Sequence, residues 1–354
     1  MKKYLFILFG FCLINCVSAE NVLNIYIGSN YIADSTIKRL EQICHCRLSQ
    51  NYFNDNEEML AKMVAGASGY DVIVPTSYAV EELIHMGKIT KLDKTKLPNL
   101  KYVESVFLNQ GYDPGNQYSI PYAYTPVFLA YNADKMKELG IVPDSWAVVF
   151  EPKYLKKMNG KVTMFSSSRN VFAAALLYLG KDPNSTDIKD LEAARELIDK
   201  ASPYWAKFDS DSYYRGLVRG DIWLSMSYSI DIYKTKQDIK ASKAHVNIAA
   251  MLQKEGNMYE LDNMVIPVSA PSTNLAYTFI NNALDPQSEY ELSSATGSSV
   301  PSQLAIDRLD KDVNGVDWIY PKNMNKMTVF KAYDPKTRVL VNEMWTEIQM
   351  QCHC

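Results

Sequence analysis

Residues 256–267, GNMYELDNMVIP, set two carboxylates, Glu260 and Asp262, ahead of a short apolar run, Met264-Val265-Ile266, closed by Pro267. A run of that length with a proline stop reads as a buried strand. Tyr259, Glu260 and Asp262 then read as an acidic, aromatic turn before it, which puts Asp262 on a mouth rather than in a core. Most acids so placed are solvated loop residues. What Asp262 means therefore depends on what the rest of the chain brings to it.

Outward from this stretch the chain alternates strands and helices. Residues 22–27 form a β-rich run ending at Gly28, and Asp34 or Ser35 can cap a helix with Ile37, Leu40 and Ile43 on its apolar face. A strand at 48–52, a helix from Asn56 to a stop at Gly66, a buried strand at 70–75 and a helix at 78–86 follow. Strands are expected again at 162–165, 222–226 and 246–251, with helices at 171–179, 187–200, 274–284 and from Pro335 onward. Such alternation gives βαβ units and a parallel sheet. Residues 120–132 are extended and aromatic, interrupted by Pro121 and Pro126, and look like a crossing between two lobes; residues 256–267 are the return crossing. Two α/β lobes crossed more than once are the plan of a binding protein, with ligand at the carboxyl ends of the strands. Those ends, 28–31, 75–78, 166–170 and 227–231, are rich in hydroxyls and tyrosines.

The chain has 354 residues and a net charge of −3. Lys2 and Lys3, the apolar residues 4–14 and Val17-Ser18-Ala19 have the form of a secretory signal cleaved before Glu20. Leu13-Ile14-Asn15-Cys16 resembles a lipoprotein box only loosely, because Asn15 is a poor residue before the cysteine. Removing residues 1–19 leaves 335 residues, enough for two lobes, with 35 basic and 40 acidic side chains. That balance offers nucleic acid no basic face. No Gly-x-Ser-x-Gly elbow, phosphate loop or His-Glu-x-x-His is present, which argues against an enzyme. The mature cysteines lie in two identical triplets, Cys44-His45-Cys46 and Cys352-His353-Cys354. An oxidising compartment favours disulfides over a metal site, with the pairing left open. The 24 tyrosines offer aromatic faces that, beside a carboxylate, suit an alkylammonium ion.

Several stretches resemble the periplasmic polyamine-binding proteins, nearest their putrescine-binding branch: VLNIY at 22–26, GYDVIVP at 69–75, LDKTKLP at 92–98, DSW at 144–146 and YLGKDPNS at 178–185. The resemblance runs through nearly the whole mature chain. It implies a two-lobed periplasmic-binding-protein fold of type II, each lobe a mostly parallel α/β sheet flanked by helices and hinged by crossover segments. One lobe is expected from 20–127 and 259–315, the other from 128–258 and 316–354. The resemblance also implies a monomeric periplasmic receptor, without cofactor, that delivers a polyamine to the permease subunits of an ABC transporter. The ligand residues carried over are Ser29, Tyr31, Thr76, Tyr228 (where a tryptophan is usual), Asp231 and Asp262. Four positions depart from the family: Gly28 replaces a tryptophan, Asn30 an acid, Asn170 a glutamate and Ser299 a tyrosine. Glu260 is a candidate substitute acid. The alternatives are the same fold with another small cation, an amino acid or a neutral solute as ligand, or an exported sensor that binds metal through its CHC triplets.

Overall fold

The computed structural model describes residues 21–29, 31–53 and 56–351. The proposed signal, Asn30, Cys352, His353 and Cys354 lie outside the described residues. In chain order the elements are β1 (Val22–Ile27), α1 (Asp34–Cys44), β2 (Arg47–Tyr52), α2 (Asn56–Val64), β3 (Val72–Ile73), α3 (Ser77–His85), β4 (Ser119–Asn132) and α4 (Ala133–Leu139). There follow α5 (Ala147–Phe150), α6 (Pro152–Leu155), β5 (Val162–Met164), α7 (Ser168–Tyr178), α8 (Ile188–Ala201), β6 (Lys207–Phe208), α9 (Tyr213–Arg219), β7 (Leu224–Tyr228), α10 (Ser229–Ser242) and β8 (Ile248–Met251). The chain closes with β9 (Asn257–Val265), α11 (Thr273–Ala283), α12 (Pro286–Thr296), α13 (Gln303–Ile306), α14 (Lys311–Asn314), β10 (Met327–Val329) and α15 (Pro335–Gln351).

The strands form one sheet in the order β2-β1-β3-β9-β4-β7-β5-β6, with β8 on β4 and β10 on β9. Parallel pairing holds each outer wing, β2-β1-β3 and β7-β5-β6. The two long central strands, β4 and β9, run antiparallel to each other and join the wings. β4 pairs with β9 from Ser119 to Val127 and with β7 from Val127 to Tyr131, so it begins in one wing and ends in the other. One continuous apolar core runs through both wings. Leu23, Ile25 and Leu40 are fully buried in the first, and Trp146, Phe165 and Phe172 in the second.

The parallel wings and both crossings appear as expected, but the turn at 259–262 does not. Tyr259, Glu260 and Asp262 belong to β9 itself, where Glu260 and Asp262 are half-buried and Tyr259, Leu261 and Asn263 are buried. Alternation with a period of two is that of a strand. It was masked because acids are depleted in strands, and here they line a cleft. Pro121 and Pro126 do not break β4; the sheet absorbs them with a register shift between Pro121 and Ala123. Neither Asp34 nor Ser35 caps α1: Ala33 is the cap residue without a side-chain bond, and Asp34 lies in the first turn, where a negative charge favours the helix dipole. Asn56 begins α2 and accepts a hydrogen bond at Oδ1 from the Thr76 N–H, 3.1 Å away, which ties α2 to the end of β3. Cys44 and Cys46 form a disulfide with each other, across His45 in a left-handed conformation (φ 47°). Among the described residues no helix is long and apolar enough to cross a membrane.

Candidate functional site

β9 is the floor of the site. Because alternate residues of a strand share a face, Glu260 and Asp262 project together, open to the cleft but removed from bulk water. Main-chain pairing fixes Asp262 beside the start of α3: it bridges Thr76, and the Asn263 N–H donates to the Pro75 carbonyl at 2.8 Å. The Tyr31 hydroxyl donates to Asp262 Oδ2 at 2.6 Å, and Tyr31 is itself held by the Tyr122 hydroxyl, which donates to its carbonyl at 2.5 Å. The rings of Tyr31 and Tyr122 meet edge to face, 5.3 Å apart.

On the other wing the Tyr228 hydroxyl donates to Glu260 Oε1 at 2.8 Å. Phe165 stacks on the Tyr228 ring with centroids 4.4 Å apart. Asn170, in the first turn of α7, donates through Nδ2 to the Tyr228 hydroxyl at 3.4 Å and to Ser167 Oγ at 3.2 Å. The Tyr78 hydroxyl donates to Glu57 Oε1 at 3.2 Å, at the edge of the same cleft.

Desolvation dominates the electrostatics. It pushes the Asp262 carboxyl up to about 7 against the hydrogen bond from Tyr31, with the nearby Glu260 charge adding to the rise. Burial likewise raises Glu260 and Asp231 above the ordinary carboxylate range. Among the described residues no lysine or arginine forms an ion pair with any of the three. Two buried polar atoms beside them, Asn170 Oδ1 and Thr76 Oγ1, have no hydrogen-bond partner. Buried polar groups are normally satisfied; here, among the described residues, three desolvated acids stand without a protein cation, next to an amide oxygen and a hydroxyl without a partner.

Of the residues expected from the sequence, Tyr31, Thr76, Asn170, Tyr228, Glu260 and Asp262 converge on this cleft. Asp231 sits behind it in the first turn of α10, where Oδ2 accepts from the Tyr213 hydroxyl at 2.6 Å. That hydroxyl in turn accepts from the Tyr228 N–H at 2.9 Å, so Asp231 supports Tyr228 through Tyr213. Ser29 is exposed after β1. Ser299 is fully buried, and its hydroxyl donates to the Ile319 carbonyl. Sequence reading placed Tyr78 in a ligand-side strand end without assigning it a role, and missed Tyr122, Tyr213 and Glu57. Tyr78 follows the carboxyl end of β3, where ligands of α/β sheets gather, and was the one with a readable signal; the others depend on contacts across 91, 18 and 21 residues of chain.

Residues 47–314 match the family of bacterial extracellular solute-binding proteins. A putrescine/cadaverine-binding protein of Pseudomonas aeruginosa PAO1 is 38% identical over 336 residues, spanning 94% of this chain and 95% of that one. The putrescine-binding periplasmic protein SpuD of P. aeruginosa UCBPP-PA14 is 32% identical over 341 residues, spanning 94% and 93%. In three dimensions the spermidine/putrescine ABC transporter substrate-binding protein of Streptococcus pneumoniae superposes with a TM-score of 0.82 over 94% of this chain and 99% of its own, at 23% identity. The overlay shares the periplasmic-binding-protein fold.

Proposed function

The chain belongs to the bacterial extracellular solute-binding family, and from that premise we propose that it captures a polyamine above β9 and passes it to an ABC importer. The family's description is of solute binding, not catalysis. The observation that carries the choice of ligand is the pair Glu260 and Asp262, two desolvated acids on one strand face, each held by a tyrosine hydroxyl and neither neutralised by a protein cation. An ammonium group supplies the missing charge and the missing donors. Charge-assisted hydrogen bonds to carboxylates contribute about 1.5–3 kcal/mol each, and the faces of Tyr31, Tyr78 and Tyr228 add cation–π attraction. The names of the Pseudomonas relatives support the same class.

The proposal includes export to the periplasm through a signal at residues 1–19, action as a monomer, and two lobes, 20–127 with 259–315 and 128–258 with 316–354. Ser29 would hydrogen-bond the ligand alongside Thr76, while Asp231 contributes charge from behind Tyr213. Isothermal titration of the mature, ligand-stripped protein with putrescine, cadaverine and spermidine tests the reading. Saturable binding of at least one at micromolar or lower concentration is expected, and no heat with all three would reject a polyamine as the ligand.

A further inference from the structure

The Cys44-His45-Cys46 triplet ends α1 and leads into β2, and the cleft makes no use of it. Arg47, directly after the triplet, pairs with Val22 at the start of β1, so the Cys44–Cys46 bridge stands at the end of its wing away from the cleft. Hydrogen bonds hold this turn without the bridge. The His45 N–H and the Cys46 N–H both donate to the Glu41 carbonyl, the second at 3.3 Å. The Leu48 N–H donates to Glu41 Oε1 at 2.9 Å, and the Arg47 N–H to the Asn21 carbonyl at 2.8 Å. With a single residue between the cysteines, ring closure removes little freedom from the unfolded chain. The covalent bond is therefore not what fixes the turn.

The two sulfurs also differ in access. Cys46 is 8% exposed, whereas Cys44 is only half-buried and lies between Ile43 and His45, both exposed. Cys44 Sγ is 3.8 Å from the Glu41 carbonyl oxygen, an acceptor for its S–H once the bridge opens. Cys46 stands between His45 and Arg47 in the chain, and cationic neighbours favour a thiolate. Exchange proceeds by thiolate attack on an accessible sulfur, faster when the departing thiolate is the more stable. We propose that Cys44–Cys46 is a thiol–disulfide exchange site, a second activity separate from the cleft, and that its substrate is a dithiol. One thiolate of the dithiol attacks Cys44 Sγ, the Cys44–Cys46 bond breaks, and Cys46 leaves with the bonding electron pair and takes up a proton. The second thiolate attacks the substrate sulfur of the mixed disulfide and displaces Cys44, which is protonated in turn. The dithiol is oxidised by two electrons to a disulfide and gives up both protons; the bridge is reduced by the same two electrons to a pair of thiols.

Peptide mapping of the unreduced wild-type protein should find Cys44 joined to Cys46, and a link from either to Cys352 or Cys354 would overturn the proposal. The mature chain carrying Cys352→Ser and Cys354→Ser keeps this one pair. Treated with dithiothreitol at neutral pH, it should yield two alkylatable thiols while its near-UV circular dichroism stays native. Thiols that appear only as the spectrum is lost would make the bridge structural. Reduced glutathione, a monothiol, reports the direction of attack when the reaction is quenched early with an alkylating agent. Mass spectrometry should then find glutathione on Cys44 in about tenfold excess over Cys46; equal labelling, or an excess on Cys46, would refute Cys44 as the attacked sulfur.

Discussion

Burial makes Asp262 keep its proton to a higher pH than it would in an unfolded chain. Its folded value of about 7 lies above the ordinary value of 3.8. A raised value gives the folded state its full advantage at pH below the unfolded value; that advantage is lost as pH climbs to about 7 and is then constant. For a shift from 3.8 to about 7 the change is on the order of 4 kcal/mol. The ligand-free protein should therefore melt at a lower temperature at pH 8 than at pH 5, and Asp262→Asn should flatten that slope. The same substitution should weaken diamine binding at least tenfold, because the charged acceptor is gone. Thermal melts across pH, with and without diamine, check both; an unchanged slope in the variant would place the titration elsewhere. Glu289 is a second buried acid, 1% exposed, and desolvation holds it well above the carboxylate range. Outside the cleft, it should affect stability alone: Glu289→Gln should raise the melting temperature at pH 7–8 and leave diamine affinity as it was.

At the scale of elements, much of the plan was legible because the wings follow local rules. Their strands are short apolar runs, such as Val72–Ile73 and Val162–Met164, separated by helices with clear periodicity. The crossings were legible as extended chain but not as an antiparallel pair, since pairing of β4 with β9 joins residues more than a hundred positions apart. The acids of β9 were visible in the sequence, and Asp262 was singled out for the site. That Glu260 shares its face could be read only once the strand was known to run through both. Cysteine pairing was equally unreadable, since four cysteines allow three connectivities. The Cys44–Cys46 bridge spans a single intervening residue, so its loop-closure contribution is about 1.6 kcal/mol. Replacing both cysteines by alanine should cost no more than about 2 kcal/mol in a denaturant titration, and a larger loss would assign the bridge a packing role. Gly297, at the end of α12, has φ +74°, and a Cβ there would overlap the Tyr233 ring of α10. Gly297→Ala should thus cost more than the roughly 1 kcal/mol of an unfavourable backbone alone.

Across the whole molecule, the segment from Val329 to Arg338 is bonded to both walls of the cleft. The Ser77 hydroxyl donates to the Phe330 carbonyl at 2.6 Å, the Ala332 N–H donates to Glu81 at 3.0 Å, and Arg338 pairs with Glu82, all from α3. From α7, Arg169 donates to the Tyr333 hydroxyl at 2.7 Å and to the Lys331 carbonyl at 3.2 Å, with its guanidinium 4.1 Å from the Tyr333 ring centre. Helix α3 begins beside Thr76, and α7 carries Asn170 next to Arg169, so one segment registers the position of both walls. We propose that a ligand engaging Tyr31 and Thr76 on one side and Asn170 and Tyr228 on the other favours the form in which the wings approach, by its differential affinity for that form. Small-angle scattering should show a smaller radius of gyration when diamine is added. Arg169→Gln removes charged hydrogen bonds of about 1.5–3 kcal/mol each from this segment without touching the acids of β9. Diamine should still bind to that variant, but more weakly, and the compaction on binding should shrink. Full compaction at wild-type affinity would mean that the segment only connects the wings, leaving β4 and β9 to set the angle between them.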